Sequence, residues 1–166
     1  MRLALATAAA VLLAACGFQL RGTASLPFET LYLPNATGGM ALDLKRNIQS
    51  GTATRVVDDA KLAQALLQFT EEARFKEILS LSAGGRVREF RLVYRVRFLV
   101  SDGKGDVFLP LSTVALSREV TFNDTDVLAK ESEEQLLFRE MQADMVQQIM
   151  RRIAAARSPG ADAAAR

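Results

Sequence analysis

Between Leu67 and Val100 apolar side chains recur at every second position on both sides of a glycine pair, and this spacing constrains the fold more than any other feature of the chain. A two-residue period belongs to an extended strand, whose successive side chains point to opposite faces. Leu67, Phe69, Ala73, Phe75, Leu79 and Leu81 define one face of a first long strand, and Phe90, Leu92, Tyr94, Val96, Phe98 and Val100 define one face of a second. Ser82-Ala83-Gly84-Gly85 between them is a tight-turn signal, so the two strands are predicted to form an antiparallel hairpin. Centring the turn on Gly84-Gly85 pairs Leu79 with Phe90, Phe75 with Tyr94 and Ala73 with Val96, which brings both apolar sets to one side. A slip of one residue would turn one of those sets to water.

A second turn, Ser101 to Asp106 with Gly103 and Gly105, leads into a third long strand that changes parity. Val107, Leu109 and Leu111 are apolar on odd numbers, whereas Val114, Leu116, Val120 and Phe122 are apolar on even ones. One extra residue at a bulge near Pro110 to Ser112 keeps both halves facing the same way, and proline is tolerated at a bulge or on an edge strand. Ahead of the hairpin, Phe28 to Pro34 reads as a strand, Met40, Leu44 and Ile48 as the apolar stripe of a helix ending at Gly51, and Thr54 to Val57 as extended chain. Ala60 to Leu67 fits either a helical turn or the start of the next strand. The last element is a long helix from about Asp126 to Arg157, with Leu137, Phe138, Met141, Met145, Ile149 and Ile153 along its packing face. The predicted fold is α+β in the order β-α-β-β-β-α: a two-layer sandwich of an about four-stranded mixed sheet with two helices on one face, the other face polar. The domain spans residues 28–157, and the Ala-rich stretch 158–166 after Ser158-Pro159-Gly160 is expected to be a disordered tail.

The beginning of the chain reads as an address. Arg2 is followed by the apolar run Leu3 to Leu13, then by Leu13-Ala14-Ala15 and Cys16. Eleven residues make a helix of about 16 Å, too short for a hydrocarbon core of about 30 Å, so the run is a secretory signal to be removed and not a permanent span. Leu-Ala-Ala-Cys resembles a bacterial lipobox. A thiol just outside the apolar run lies at the membrane surface, where it accepts diacylglycerol, and cleavage then frees its amine for a further acyl chain. Two or more chains hold a protein firmly to a bilayer. Residues 1–15 are therefore expected to be a cleaved lipoprotein signal peptide, Cys16 the lipidated residue, and 16–27 a short tether of at most about 40 Å. Gly17 in place of Asp after that cysteine resembles the outer-membrane sorting pattern of proteobacterial lipoproteins. Removal of residues 1–15 leaves 151 residues with 20 basic and 19 acidic side chains.

The remaining chemistry is narrow. With one Cys and no His among 166 residues, the chain lacks the residues for His/Cys zinc sites, Ser-His-Asp or Cys-His nucleophiles and haem or iron–sulfur ligation. Glu71-Glu72, Asp58-Asp59 and Glu133-Glu134 are the visible carboxylate pairs. Neighbours on a strand point apart, and acids early in a helix suit its dipole, so no catalytic or metal site is assigned, and no cofactor beyond lipid on Cys16. A formal charge of +2 argues against bulk attraction to nucleic acid. Arg86, Arg88, Arg91, Arg95 and Arg97, however, place five guanidiniums in twelve residues with Glu89 among them. In the register above, Arg74 and Arg95 stand directly opposite one another on the polar face, an arrangement that needs an anion or a carboxylate between them. Two readings remain open: a solvated sheet face laced with acids, or a binding surface where guanidinium forks engage the phosphates of a polyanion.

Cys16-Gly17-Phe18-Gln19-Leu20-Arg21-Gly22, the Leu31-Tyr32-Leu33 strand, the Gly-turn hairpin, Pro110 in the third long strand and Leu128-Ala129-Lys130 before the final helix together resemble the LPS-assembly lipoprotein LptE family over nearly the whole mature chain. The resemblance implies a lipoprotein of the outer membrane, on its periplasmic side, that pairs with the large β-barrel LptD, sits in its lumen as a plug, assists its assembly and binds lipopolysaccharide. Family contacts to lipopolysaccharide include basic residues at the hairpin rim and before the last helix. Lys130 matches the second position, while Ala83 aligns with the first and Arg86 and Arg88 lie nearby. The resemblance thus makes Arg86, Arg88 and Lys130, with Arg91 and Arg95 behind them, the candidate lipopolysaccharide contacts. The alternative is another outer-membrane lipoprotein adaptor without a lipopolysaccharide role. If Cys16 is the acyl acceptor, Cys16→Ala abolishes incorporation of radiolabelled palmitate by cells expressing the chain; label retained at the wild-type level rejects the lipobox.

Overall fold

A computed structural model describes residues 25–123 and 126–157. The expected signal peptide, Cys16, most of the expected tether and the stretch 158–166 lie outside the described residues. Strand β1 (Thr30–Tyr32) leads into helix α1 (Gly39–Gly51) and strand β2 (Arg55–Val57). A 3-10 turn (Ala60–Leu62) follows, then the long strands β3 (Ala65–Leu81), β4 (Val87–Ser101) and β5 (Val107–Thr121) and helix α2 (Val127–Ala154). The ambiguous stretch after Ala60 is thus both things in turn, one helical turn and then the start of β3. The five strands lie in the order β2-β1-β3-β4-β5, with β1 parallel to both neighbours and β3, β4 and β5 antiparallel. This is the α+β sandwich the element order predicts, with the short β2 completing one edge.

Helix α1 forms because Met40, Leu44 and Ile48 repeat every fourth residue, and all three are buried. It ends where Thr52 donates both its amide (3.1 Å) and its hydroxyl (2.8 Å) to the carbonyl of Ile48. Helix α2 buries Met141, Met145, Val146, Ile149 and Ile153, while Leu137 and Phe138 pack at the edge of the core. The two stripes close over Leu31, Leu67, Leu92, Tyr94, Val96, Phe98, Val100 and Val114 of the sheet. Side-chain amides tie the helices to each other: Gln142 Nε2 donates to Asp43 Oδ2 (2.6 Å) and Gln147 Nε2 to Asn47 Oδ1 (3.0 Å).

The hairpin register differs from the sequence expectation by one residue. Phe90 pairs with Ile78, Tyr94 with Arg74 and Val96 with Glu72, where Leu79, Phe75 and Ala73 are expected. The offset starts at the tip, where Leu81 opposes Val87 so that the hairpin centres on Gly84 alone, and a bulge at Thr70 shifts the pairing by a further residue toward the core. Leu67 and Phe69 oppose Val100 and Phe98 on the core side, but Glu71 already opposes Arg97, and the Thr70 hydroxyl donates to the carbonyl of Arg97 (3.3 Å). Past that point the even-numbered residues of β3, Glu72, Arg74, Lys76 and Ile78, take the helix side, and Ala73 and Phe75 pass to the open face. The bulge predicted in β5 is present: Ser112 opposes Phe98 and Leu109 opposes Val100, so Pro110 and Leu111 absorb the extra residue. Leu109 and Phe108 pack against the core there, whereas Val107 and Leu111 remain exposed.

The β4–β5 turn is held by one carboxylate. Asp102 Oδ1 accepts from the amides of Lys104 (2.7 Å), Gly105 (3.0 Å) and Asp106 (2.9 Å), and the bond from Lys104 leads the effects that hold its carboxyl below the usual value. Gly103 is required twice over: its φ is +73°, and a Cβ there would meet Leu66 Cδ1 at 2.5 Å.

Candidate functional site

The hairpin tip and the start of α2 meet at one end of the sheet. Five residues, 82–86, close the tip: the Ser82 amide donates to the Arg86 carbonyl (2.7 Å), the Arg86 amide to Ser82 Oγ (3.1 Å), and Gly85 takes φ +78°. Next to it the end of β5 returns to β4, with the Phe122 amide donating to the Arg88 carbonyl (2.7 Å) and Thr121 opposite Glu89. The chain then enters α2, whose Lys130 reaches back so that Nζ donates to Thr121 Oγ1 (3.3 Å) and Glu133 Oε2 (2.8 Å). Arg88 and Arg86 lie one and three residues before Glu89, and Lys130 touches Thr121 across the ladder from it, so the three come to the same end of the sheet.

At that end lies a cleft of about 250 Å³ between β4, β5 and α2. Phe90 and Phe122 meet edge to face in it, ring centroids 5.3 Å apart, and Val120 and Val127 extend the apolar lining. Lys76 of β3 lies over the Phe90 ring at 4.8 Å and pairs with Glu134 (2.7 Å). Exposed apolar side chains continue outward from this end: Ile78 and Leu81 on the arm of β3, Val127 and Leu128 at the start of α2. An apolar slot with two ammonium groups on its walls has the chemistry to receive an amphiphile bearing negative charge.

Arg91 and Arg95 do not join this cluster. They stand on the open face of the sheet, Arg91 paired with Glu119 (3.3 Å), and Arg95 and Arg97 both paired with Glu71 (3.0 and 3.8 Å). The predicted confrontation of Arg74 with Arg95 does not occur. With the hairpin centred on Gly84, Arg95 opposes Ala73 and lies on the face opposite Arg74, and its guanidinium lies 5.3 Å from the Phe75 ring centre. Each of these half-exposed pairs contributes at most about 1 kcal/mol, so their role is to balance charge on a wet surface. Of the two readings left open for the arginine run, the solvated lattice describes Arg91, Arg95 and Arg97. Sequence reasoning missed Lys76, because its place on the helix side follows from a bulge that the alternation of β3 does not announce.

Between core and cleft runs a polar chain. The buried Tyr94 donates its hydroxyl to Glu72 Oε1 (2.6 Å) and accepts from Arg74 Nη2 (3.1 Å), which also donates to Gln142 Oε1 (2.6 Å) and so reaches α2. Burial foremost, and then the bond to Glu72, push the Tyr94 hydroxyl well above its ordinary value of 10.0. Among the described residues no buried side-chain nitrogen or oxygen is left without a partner, no group of His, Cys, Asp and Glu is set to hold a metal ion, and no helix is long and apolar enough to cross a membrane.

Comparison with known proteins gives this architecture its place. The sequence profile described as LptE, lipopolysaccharide-assembly, matches residues 28–153. The LPS-assembly lipoprotein LptE of Yersinia pestis (strain Pestoides F) is 30% identical over 149 residues, covering 87% of this chain and 71% of the relative, and that of Yersinia pseudotuberculosis serotype O:1b gives the same values. A lipoprotein B of Nitrosomonas europaea, solved by NMR, superimposes with a TM-score of 0.72 at 42% identity over 84% of this chain and 91% of its own. The rare lipoprotein B of Shewanella oneidensis shares the fold, with a TM-score of 0.65 at 22% identity over 76% of this chain and 94% of its own. A two-layer α+β lipoprotein domain with a long hairpin and a capping helix is the class these matches define. The chain belongs to the LptE family of lipopolysaccharide-assembly lipoproteins.

The raised Tyr94 value has a defined consequence for stability. The folded state keeps the hydroxyl protonated, so the group has no pH effect below 10 and loses stability as the unfolded chain ionises above it. Tyr94→Phe costs about 1 kcal/mol at pH 7 from the lost hydrogen bonds, and its deficit relative to wild type narrows as pH rises beyond 10 in urea melts. A deficit that stays constant with pH contradicts this role for the hydroxyl.

Proposed function

We propose that the chain is a lipid-anchored, non-enzymatic subunit of the lipopolysaccharide translocon, placed at the periplasmic side of the outer membrane by acylated Cys16 after loss of residues 1–15. Residues 16–27 tether the domain 28–157, the domain pairs with the LptD barrel, assists its assembly and fills its lumen as a plug, and its rim end recognises lipopolysaccharide. No function is assigned to residues 158–166. The reading rests on the family membership, and one observation carries it to residues: strand β3 and the start of α2 bring Lys76 and Lys130 to the walls of an apolar cleft, at the same end of the sheet as Arg86 and Arg88. Lipopolysaccharide combines phosphates with acyl chains, and both find matching chemistry there. The open sheet face supports the plug role. Its charges are matched within the sheet, as on the Glu71, Arg95 and Arg97 lattice, which suits a water-filled polar lumen where an unmatched field would be costly. The carboxylate of Glu134 in the cleft is bound to Lys76 and is not held ready for a reacting group, which favours binding over catalysis.

The test has two parts. The lipidated chain extracted in detergent co-purifies with a large barrel protein, and Arg86→Glu/Arg88→Glu/Lys130→Glu weakens lipopolysaccharide binding by about tenfold at low salt, with a smaller loss at high salt. Recovery without any barrel protein rejects the translocon reading in favour of another lipoprotein adaptor, and unchanged binding by the triple variant returns the arginines to the solvated surface.

A further inference from the structure

Two ammonium groups flank the cleft, and each is already occupied. Lys76 Nζ is 2.7 Å from Glu134 Oε2, and Lys130 Nζ is 2.8 Å from Glu133 Oε2, so strand β3 and helix α2 each present a cation whose partner is a neighbouring glutamate on α2. Between them lie the edge-to-face rings of Phe90 and Phe122, with Val127 beside them and Lys76 directly over Phe90. Resting on the lipopolysaccharide reading above, we propose that Lys76 and Lys130 form a two-cation clamp for the phosphates of that acylated ligand across an apolar floor, and that Glu134 and Glu133 are internal competitors which the ligand's phosphates displace.

The charges and exposures support this exchange. Half-exposed lysine–glutamate pairs are weak in water, whereas a phosphate group brings up to two negative charges and three acceptor oxygens to the same ammonium. Seating an acyl chain against Phe90, Phe122 and Val127 removes water from the cleft and strengthens the new contact relative to the old one. Glu131, which also lines the cleft, adds a third carboxylate that disfavours anions lacking an acyl chain. The glutamates therefore set a threshold: a phosphorylated lipid passes it because apolar burial adds to its charge, and a free phosphate does not. Lys76 becomes a specificity-determining residue that neither the arginine run nor the family positions point to.

The experiment titrates the full lipidated chain in detergent with purified lipopolysaccharide, with inorganic pyrophosphate as the acyl-free probe. Glu133→Gln and Glu134→Gln each tighten lipopolysaccharide binding by about two- to fivefold and raise the response to pyrophosphate. Lys76→Met, which keeps the stem over Phe90 and removes the charge, weakens lipopolysaccharide binding by about threefold or more, and Lys76→Arg restores it. In the Lys76→Met background Glu134→Gln brings no gain, because its competitor role requires that lysine. Glu29→Gln, the same charge change at the opposite end of the sheet, leaves affinity unchanged. The clamp is overturned if Lys76→Met binds like wild type, or if the two glutamine variants bind no tighter than Glu29→Gln, while Lys130→Gln still weakens binding; the lipopolysaccharide reading then stands without it. Absence of lipopolysaccharide binding by wild type and every variant overturns both.

Discussion

One extra residue at Thr70 decides what the long hairpin does. Before it, β3 contributes Leu67 and Phe69 to the core; after it, the same side of the strand carries Glu72, Arg74 and Lys76. A strand that stayed apolar inward along all seventeen residues would need a helix layer over its whole length, and α2 covers mainly β4 and β5. The bulge resolves this by turning long amphipathic side chains toward the helix. Their stems lie along the sheet and their heads reach Tyr94, Gln142 and Glu134, so the arm beyond the core is fastened to α2 by polar bonds instead of apolar packing.

The two faces of the sheet consequently do different work. The covered face joins a dry core to a wetter cleft, with the Glu72, Tyr94 and Arg74 chain at the boundary. The open face carries a lattice in which Arg91, Arg95 and Arg97 all have acidic partners, and nothing in that balance favours a particular polyanion. Basic side chains are also gathered at the cleft, where Lys76 of β3 and Lys130 of α2 each pair with a glutamate of α2. A chain whose basic and acidic residues nearly cancel thus distributes its charge unevenly by position.

Much of this is legible in the sequence, for identifiable reasons. Met40, Leu44 and Ile48 announce α1, the parity change between Leu109 and Val114 announces the β5 bulge, and the glycine pair at 84–85 announces the hairpin. The bulge at Thr70 is silent because odd-numbered Ala73 and Phe75 prolong the apolar rhythm past it. Phe75 is tolerated on the open face because the Arg95 guanidinium covers its ring, a pairing that no local pattern reveals. The omission of Lys76 follows directly from that silence, whereas the register error and the mistaken opposition of Arg74 to Arg95 come from a tip that centres on Gly84 and not on the glycine pair. The basic end of the sheet is half legible: Arg86 and Arg88 stand out in the sequence, but the arrival of Lys130 at the same end depends on how β5 returns to β4.

The central claim is that lipopolysaccharide is met at the rim end of the sheet and not elsewhere on the domain. A photocrosslinking residue at Ile78, exposed beside the cleft, compared with one at Leu62, exposed in the 3-10 turn at the other end of β3, tests this in growing cells. Recognition at this end gives lipopolysaccharide adducts from position 78 and none from position 62; equal adducts from both contradict it.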